Sequence, residues 1–149
     1  MRIRKFRKED AKEVSNIIRR CLREVVSKDY PKKAIVGLCD FFTPALLIKN
    51  SKNRHLFVAV EKDKIIGTAS LKDNTALTVF VNPDIHGKGV GSKLMDKVEG
   101  LAEKNGYKII KLPSGLSSVE FYKKRGYKKV KVIHSKDHGD TVEMKKNLK

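Results

Sequence analysis

Apolar positions along this chain change period several times, and the changes mark out its elements. From about Glu9, apolar residues fall at Ala11, Val14, Ile17, Ile18, Cys21, Leu22, Val25 and Val26, a spacing of three and four that puts one stripe of a long helix in a core. Before it, Arg2 to Phe6 is short enough for a first strand. After it, Pro31 and then Thr43 with Pro44 supply start signals for two short helices, over roughly Lys32 to Cys39 and Pro44 to Ile48. His55 to Glu61, Ile65 to Leu71 and Thr75 to Val81 are strand-like runs rich in β-branched residues. Their short connections, Lys62-Asp63-Lys64 and Lys72-Asp73-Asn74, imply an antiparallel meander.

The second half changes character. Leu94, Met95, Val98, Leu101 and Ala102 return to helical spacing, and Asn105-Gly106 supplies a stop. Tyr107 to Leu112 is a fifth strand ended by Pro113-Ser114-Gly115; following a strand-helix crossover, it should lie parallel to the strand that ends at Val81. Ser117 and Glu120 have capping-box spacing for a short helix ended by Gly126. Tyr127 to Ile133 and Thr141 to Lys145 then close as a hairpin across Ser135 to Asp140. No repeat, linker or composition break interrupts the pattern, so residues 1–149 read as one α/β domain with a mixed, mostly antiparallel sheet flanked by helices.

One junction carries chemistry. The strand ending at Val81 is halted by Asn82-Pro83, followed by His86-Gly87-Lys88-Gly89-Val90-Gly91 and then by the helix of Leu94. Glycines at 87, 89 and 91 let backbone approach a ligand closely, and first-turn amides around Gly91 to Lys93 have no acceptor within their own helix. Such a junction binds anions. Its spacing excludes a P-loop, which needs Gly-x-x-x-x-Gly-Lys-Ser/Thr. It fits a dinucleotide fingerprint poorly, because Ser92 or Leu94 stands where the third glycine belongs.

The junction resembles the signature of the GNAT superfamily of N-acetyltransferases, Arg/Gln-x-x-Gly-x-Gly/Ala after a strand ending in Val-x-Pro, with His86 in the place of Arg or Gln. A second stretch, Ser117 to Tyr127, resembles that family's other hallmark, a short helix carrying Phe-Tyr (Phe121, Tyr122) and ending in Gly-Tyr (Gly126, Tyr127). The two occur in the family's order, and the resemblance runs from about Arg2 to Lys146. It implies a GNAT-like fold of six or seven strands with a parallel pair in the middle, and acetyl-CoA as co-substrate. It implies pantetheine contacts to the backbone of Val79, Phe80 and Val81, and a pyrophosphate on the amides of His86, Gly87, Lys88, Gly89, Val90, Gly91 and Ser92. Lys88, Lys123 and Lys124 are candidates for the CoA phosphates. Tyr122 is the expected general acid: a phenol, with pKa roughly 10, holds its proton at neutral pH and can give it to a nascent CoA thiolate, whose thiol has a pKa of roughly 8.5, or stabilise that thiolate. In relatives that acetylate protein N-termini, a Glu on the fifth strand precedes an Asn by five residues; here those positions are Ile110 and Gly115. Asp73, Asp40, Glu61, His55 or a water relay remain as bases. The helical excursion before the second strand forms a wall of the acceptor site in this resemblance.

Composition adds a field. The 149 residues carry 34 Lys and Arg against 17 Asp and Glu, a formal net charge of +17, and this attracts polyanions without choosing among them. The basic residues are scattered, with no long block of like charge. A polycationic acceptor would be repelled, which favours as partner a small or acidic amine, or a protein side chain in an acidic context. Cys21 and Cys39 lie inside apolar helical patterns and read as buried thiols, and no His/Cys cluster suggests a metal. No apolar run reaches the roughly 20 residues of a membrane span and no signal-like segment follows Met1, so a cytoplasmic protein, monomeric or homodimeric, without membrane contact is expected. Three functions compete: acetyl-CoA-dependent N-acetyltransferase of a primary amine, catalytically silent CoA-binding module, and basic nucleic-acid-binding protein, the last on charge alone.

Overall fold

The computed structural model describes residues 1–135 and 139–149. Seven strands, β1 (Arg2–Lys5), β2 (His55–Glu61), β3 (Lys64–Lys72), β4 (Thr75–Val81), β5 (Ile109–Ser114), β6 (Lys128–Ile133) and β7 (Thr141–Asn147), form one sheet in the order β1-β2-β3-β4-β5-β7-β6. All neighbouring pairs are antiparallel except β4 and β5. Among the described residues five α-helices accompany it: α1 (Ala11–Glu24), α2 (Lys32–Asp40), α3 (Pro44–Ser51), α4 (Val90–Lys104) and α5 (Val119–Lys124).

The central strands are apolar on both faces, as β3 shows with seven consecutive buried residues, and each face has its own core. On one face α4 presents Leu94, Met95, Val98 and Ala102, all fully buried, against Ala69, Leu71, Ile110 and Met144. On the other, α1 presents Val14, Ile17, Ile18 and Leu22, packed with Ile35 and Cys39 of α2, Leu47 of α3 and Val58 of β2. The predicted stripe on α1 is the one buried, and both cysteines are buried free thiols. Thr43 caps α3, its hydroxyl accepting from the Leu46 amide at 3.3 Å.

Three local expectations are corrected. Ser117 belongs to a 3-10 turn (Leu116–Ser118) rather than to a capping box; Ser118 occupies the N-cap in a helical conformation that does not present its hydroxyl, and Glu120 sits 3.7 Å from Lys123 Nζ instead. Pro113 does not end β5, which continues to Ser114. The Leu148 amide donates to the Lys108 carbonyl, so in the register that follows, Ile110, Leu112 and Ser114 direct their backbone at β7 while Lys111 and Pro113 face β4. The donor that proline lacks would point where β5 has no partner, so no ladder bond is lost. The long helix also ends at Glu24, before Val25 and Val26. The middle of the β6–β7 connection, expected across Ser135 to Asp140, lies outside the described residues.

Candidate active site

β4 and β5 run side by side only at their start. Thr75 lies opposite Lys111, whose amide donates to the Asn74 carbonyl at 3.0 Å, and beyond that pair the two strands separate. The cause is in β4. Opposite Ala69 the register slips, and Thr78 takes a left-handed φ of 55°, a β-bulge that re-aims the rest of the strand. Ser70, fully buried on β3, supports the bulge: its hydroxyl donates to the Leu77 carbonyl at 2.9 Å and lies 3.1 Å from Thr78 Oγ1.

Past the bulge, the Asn82 amide donates to the Ile66 carbonyl at 2.8 Å. The neighbouring Thr68 and Phe80 pair therefore points its backbone groups at each other, and those of Val79 and Val81 turn away from β3 into the gap beside β5. Of the three expected backbone contacts, two face the gap and Phe80 faces the sheet. Phe80 packs instead at the base of the helical excursion, edge-on to Phe42 with ring centroids 5.5 Å apart.

The mouth of the gap is the glycine-rich junction. Asn82 caps a short 3-10 turn (Pro83–Ile85), accepting from the Asp84 amide at 2.9 Å. Arg20 of α1 holds this turn from outside, 3.1 Å from Asp84 and 2.8 Å from Glu24. Gly87 and Gly89 adopt φ of 84° and 81°, and Gly89 is the N-cap of α4, a conformation a side chain would strain. The first intrahelical bond runs from the Lys93 amide to the Gly89 carbonyl at 3.2 Å, so the amides of Val90, Gly91 and Ser92 have no acceptor within the helix. Gly91 is close to α5: a Cβ there would lie 3.3 Å from Phe121 Cζ. Lys88 and Lys124 are exposed.

The ring of His86 turns back onto the strand end, its Nε2 2.8 Å from the Val81 carbonyl oxygen. The Cys21 thiol of α1 reaches the same oxygen at 2.9 Å, and burial pushes that thiol up to about 11, so it stays a donor. Two side chains thus occupy the Val81 carbonyl and leave its amide facing the gap. Neither partner was legible in the sequence, since no pattern links residue 21 to residue 81.

Tyr122 shares the core that Val79, Val81, Val90 and Phe121 border, its ring edge-on to Phe121 and Tyr127 at 5.1 and 5.6 Å. Burial pushes its phenol well above the usual tyrosine range, with only the positive charge of Arg125 pulling the other way. Among the described residues no group hydrogen-bonds its hydroxyl. Tyr127 is different: its hydroxyl donates 2.8 Å to Glu99 of α4, which also holds Arg125 and Lys146 at 3.2 and 2.9 Å.

Of the candidate bases, Asp73 and His55 lie at the far end of the sheet, beside Lys72 and Leu71, about 20 Å of strand from Val81. Ile110 is buried in the core, Glu61 is exposed two strands away, and Asp40 borders a groove between α1 and α2. No cluster of His, Cys, Asp and Glu among the described residues could hold a metal, and no single described helix is long and apolar enough to cross a membrane.

A mixed sheet whose one parallel pair splays open over a glycine-rich helix start defines an acyltransferase of the acetyltransferase class. The chain belongs to the GNAT acetyltransferase family, whose domain model matches residues 26–148. A GCN5-related N-acetyltransferase of Rhodopseudomonas palustris superposes with TM-score 0.89 at 25% identity, over 99% of this chain and 95% of that one. The PaiA N-acetyltransferase of Thermoplasma acidophilum, solved in complex with coenzyme A, superposes with TM-score 0.81 at 22% identity, over 99% and 98%. An uncharacterized N-acetyltransferase of Methanocaldococcus jannaschii is 36% identical over 58 residues, 37% of this chain but only 26% of that protein's length.

Proposed function

We propose that this protein transfers the acetyl group of acetyl-CoA to a primary amine by direct attack. The open gap between β4 and β5, closed at one end by the free amides of α4, with Tyr122 in the core against which Val79 and Val81 pack, is the observation that carries the reading. The pantetheine arm pairs with the exposed backbone of Val79 and the amide of Val81, and the pyrophosphate sits on the amides of residues 86–92. An N–H of β4 polarises the thioester carbonyl. The amine nitrogen attacks that carbon, the new C–N bond forms as the C–S bond breaks, the Tyr122 hydroxyl donates to the departing thiolate, and the proton released by the ammonium passes through water to the sulfur, directly or by replacing one the phenol gives up, so that amide, CoA thiol and intact phenol result. Burial keeps the phenol protonated across the neutral range, so its hydroxyl stays a hydrogen-bond donor to the departing sulfur, although the same burial makes it a weaker acid than the thiol that forms. The coenzyme A in the Thermoplasma acidophilum neighbour supports the choice of ligand.

A silent CoA-binding module is the second reading, favoured by the buried Ile110, which leaves the central part of β5 without a carboxylate. Thiol release from acetyl-CoA against a panel of amines, with CoA affinity measured in parallel, separates the two. Tyr122→Phe should keep CoA affinity and lose about 10²-fold in kcat. CoA binding without turnover of any amine would favour the silent module, and normal turnover by the variant would return Tyr122 to the core as packing.

A further inference from the structure

A groove of about 430 Å³ opens between α1 and α2, lined by Arg19, Arg23, Lys32, Asp40, Tyr30 and Ile35 among others. It reaches the same end of the sheet as the β4–β5 gap. Tyr30, on its wall, accepts from the Leu116 amide just beyond β5 at 3.2 Å and donates to the Asp140 carbonyl after the β6–β7 connection. One helical step from Arg19, Arg20 holds the turn that follows β4.

The charges in the groove are unbalanced. Arg19 and Arg23 are one turn apart on α1, a like-charge spacing that disfavours the helix. Their neighbour Arg20 is fully paired with Glu24 and Asp84, but no carboxylate reaches Arg19, Arg23 or Lys32 among the described residues. Arg19 Nε is fully buried with no hydrogen-bond partner. A desolvated guanidinium N–H without an acceptor is costly, and a planar anion is what its geometry matches. Asp40 is the one carboxylate on the lining, against three cations.

We propose that this groove holds the anionic group of the acceptor, so that the amine acetylated at the gap belongs to a molecule that also bears a carboxylate or a phosphate. Arg19 and Arg23 are then specificity-determining residues, and the inference rests on the acetyl-transfer reading above. The same surplus charge disfavours polyamines.

Two measurements test it. The first compares kcat/KM within matched pairs: glycyl-glutamate against its diamide, and phosphoethanolamine against ethanolamine, with spermidine as the polycation. The second needs no turnover and titrates the CoA complex with N-acetylglutamate, its diamide and inorganic phosphate. The anionic member of at least one pair should be favoured at least tenfold, the better pair telling carboxylate from phosphate. In Arg19→Ala/Arg23→Ala the preference should fall at least tenfold with CoA affinity kept, and Arg23→Lys should restore part of what Arg23→Ala loses. A preference for the neutral members or for spermidine, anionic probes that do not bind the CoA complex, or a ratio unmoved by the double variant would each overturn the inference. Wild-type protein that fails to bind acetyl-CoA at all would instead defeat the transfer reading, a result visible in the CoA titration alone.

Discussion

The phenol of Tyr127 donates to Glu99 Oε2 across 2.8 Å, and this bond fastens the strand after α5 to the helix that begins at the glycine-rich junction. Glu99 is 9% exposed and also holds Arg125 and Lys146, whose ammonium lies 5.6 Å from the Tyr127 ring centre. Removing the carboxylate strands the Lys146 ammonium and a hydroxyl and leaves Arg125 with Asp96 alone, 2.7 Å away, whereas removing the hydroxyl leaves Glu99 with both cations. Glu99→Ala should therefore cost about 3 kcal/mol and Tyr127→Phe only about 1 kcal/mol in urea unfolding. Equal costs would mean that the Tyr127 hydrogen bond, not the pairing of Glu99 with the cations, carries the carboxylate's contribution.

The same substitution should have opposite signs at two glycines of one helix region. Gly100 is exposed, with nothing within 4 Å of a built Cβ, so Gly100→Ala should stabilise by about 0.5–1 kcal/mol. Gly89 is equally uncrowded but left-handed at φ 81°, and Gly89→Ala should cost about 1–2 kcal/mol. Thermal unfolding of the two variants decides it; two gains would show that the loop relaxes out of the left-handed conformation at no cost.

Most of the fold was legible because each strand and helix announces itself locally. The meander followed from apolar runs broken at Lys62-Asp63 and Asp73, three residues that do adopt positive φ in their turns. The glycine junction was legible because anion binding by backbone needs only a missing Cβ and a helix start. What creates the gap was not. The bulge at Thr78 puts a β-branched residue in a left-handed conformation, against its propensity, and depends on a hydroxyl from β3 that no spacing rule connects to it. The same limit hid the partners of Val81 and the groove residues Arg19 and Tyr30, whose roles arise from elements that meet only after folding.

His86 stands where the resembled signature has Arg or Gln, and its contact with the Val81 carbonyl explains what the position does here: it ties the loop to the strand end. A glutamine amide can donate the same bond and an alanine cannot. His86→Ala should weaken CoA binding about fivefold, the worth of one net hydrogen bond, and His86→Gln should stay within about twofold of wild type. Glutamine behaving like alanine in a CoA titration would make the imidazole a direct contact of the phosphates rather than a tether.

The pH dependence of turnover should carry the signature of a buried phenol. The attacking amine is reactive only when neutral, and a lysine-like amine has a pKa near 10.4, so kcat/KM must rise with pH through the neutral range. An acid that lost its proton near pH 9 would bend the profile down again. Tyr122 is held above the usual tyrosine range by burial, its protonated form persisting at higher pH than in a free phenol, so its descending limb should fall above about pH 10. The expected profile therefore climbs throughout pH 6 to 9.5 without a bell, and Tyr122→Phe lowers it by a constant factor over that range. A descending limb near pH 8.5 that vanishes in Tyr122→Phe would show that acetyl-CoA binding brings water or charge to the hydroxyl and lowers it, in which case the phenol acts only over the neutral part of the range.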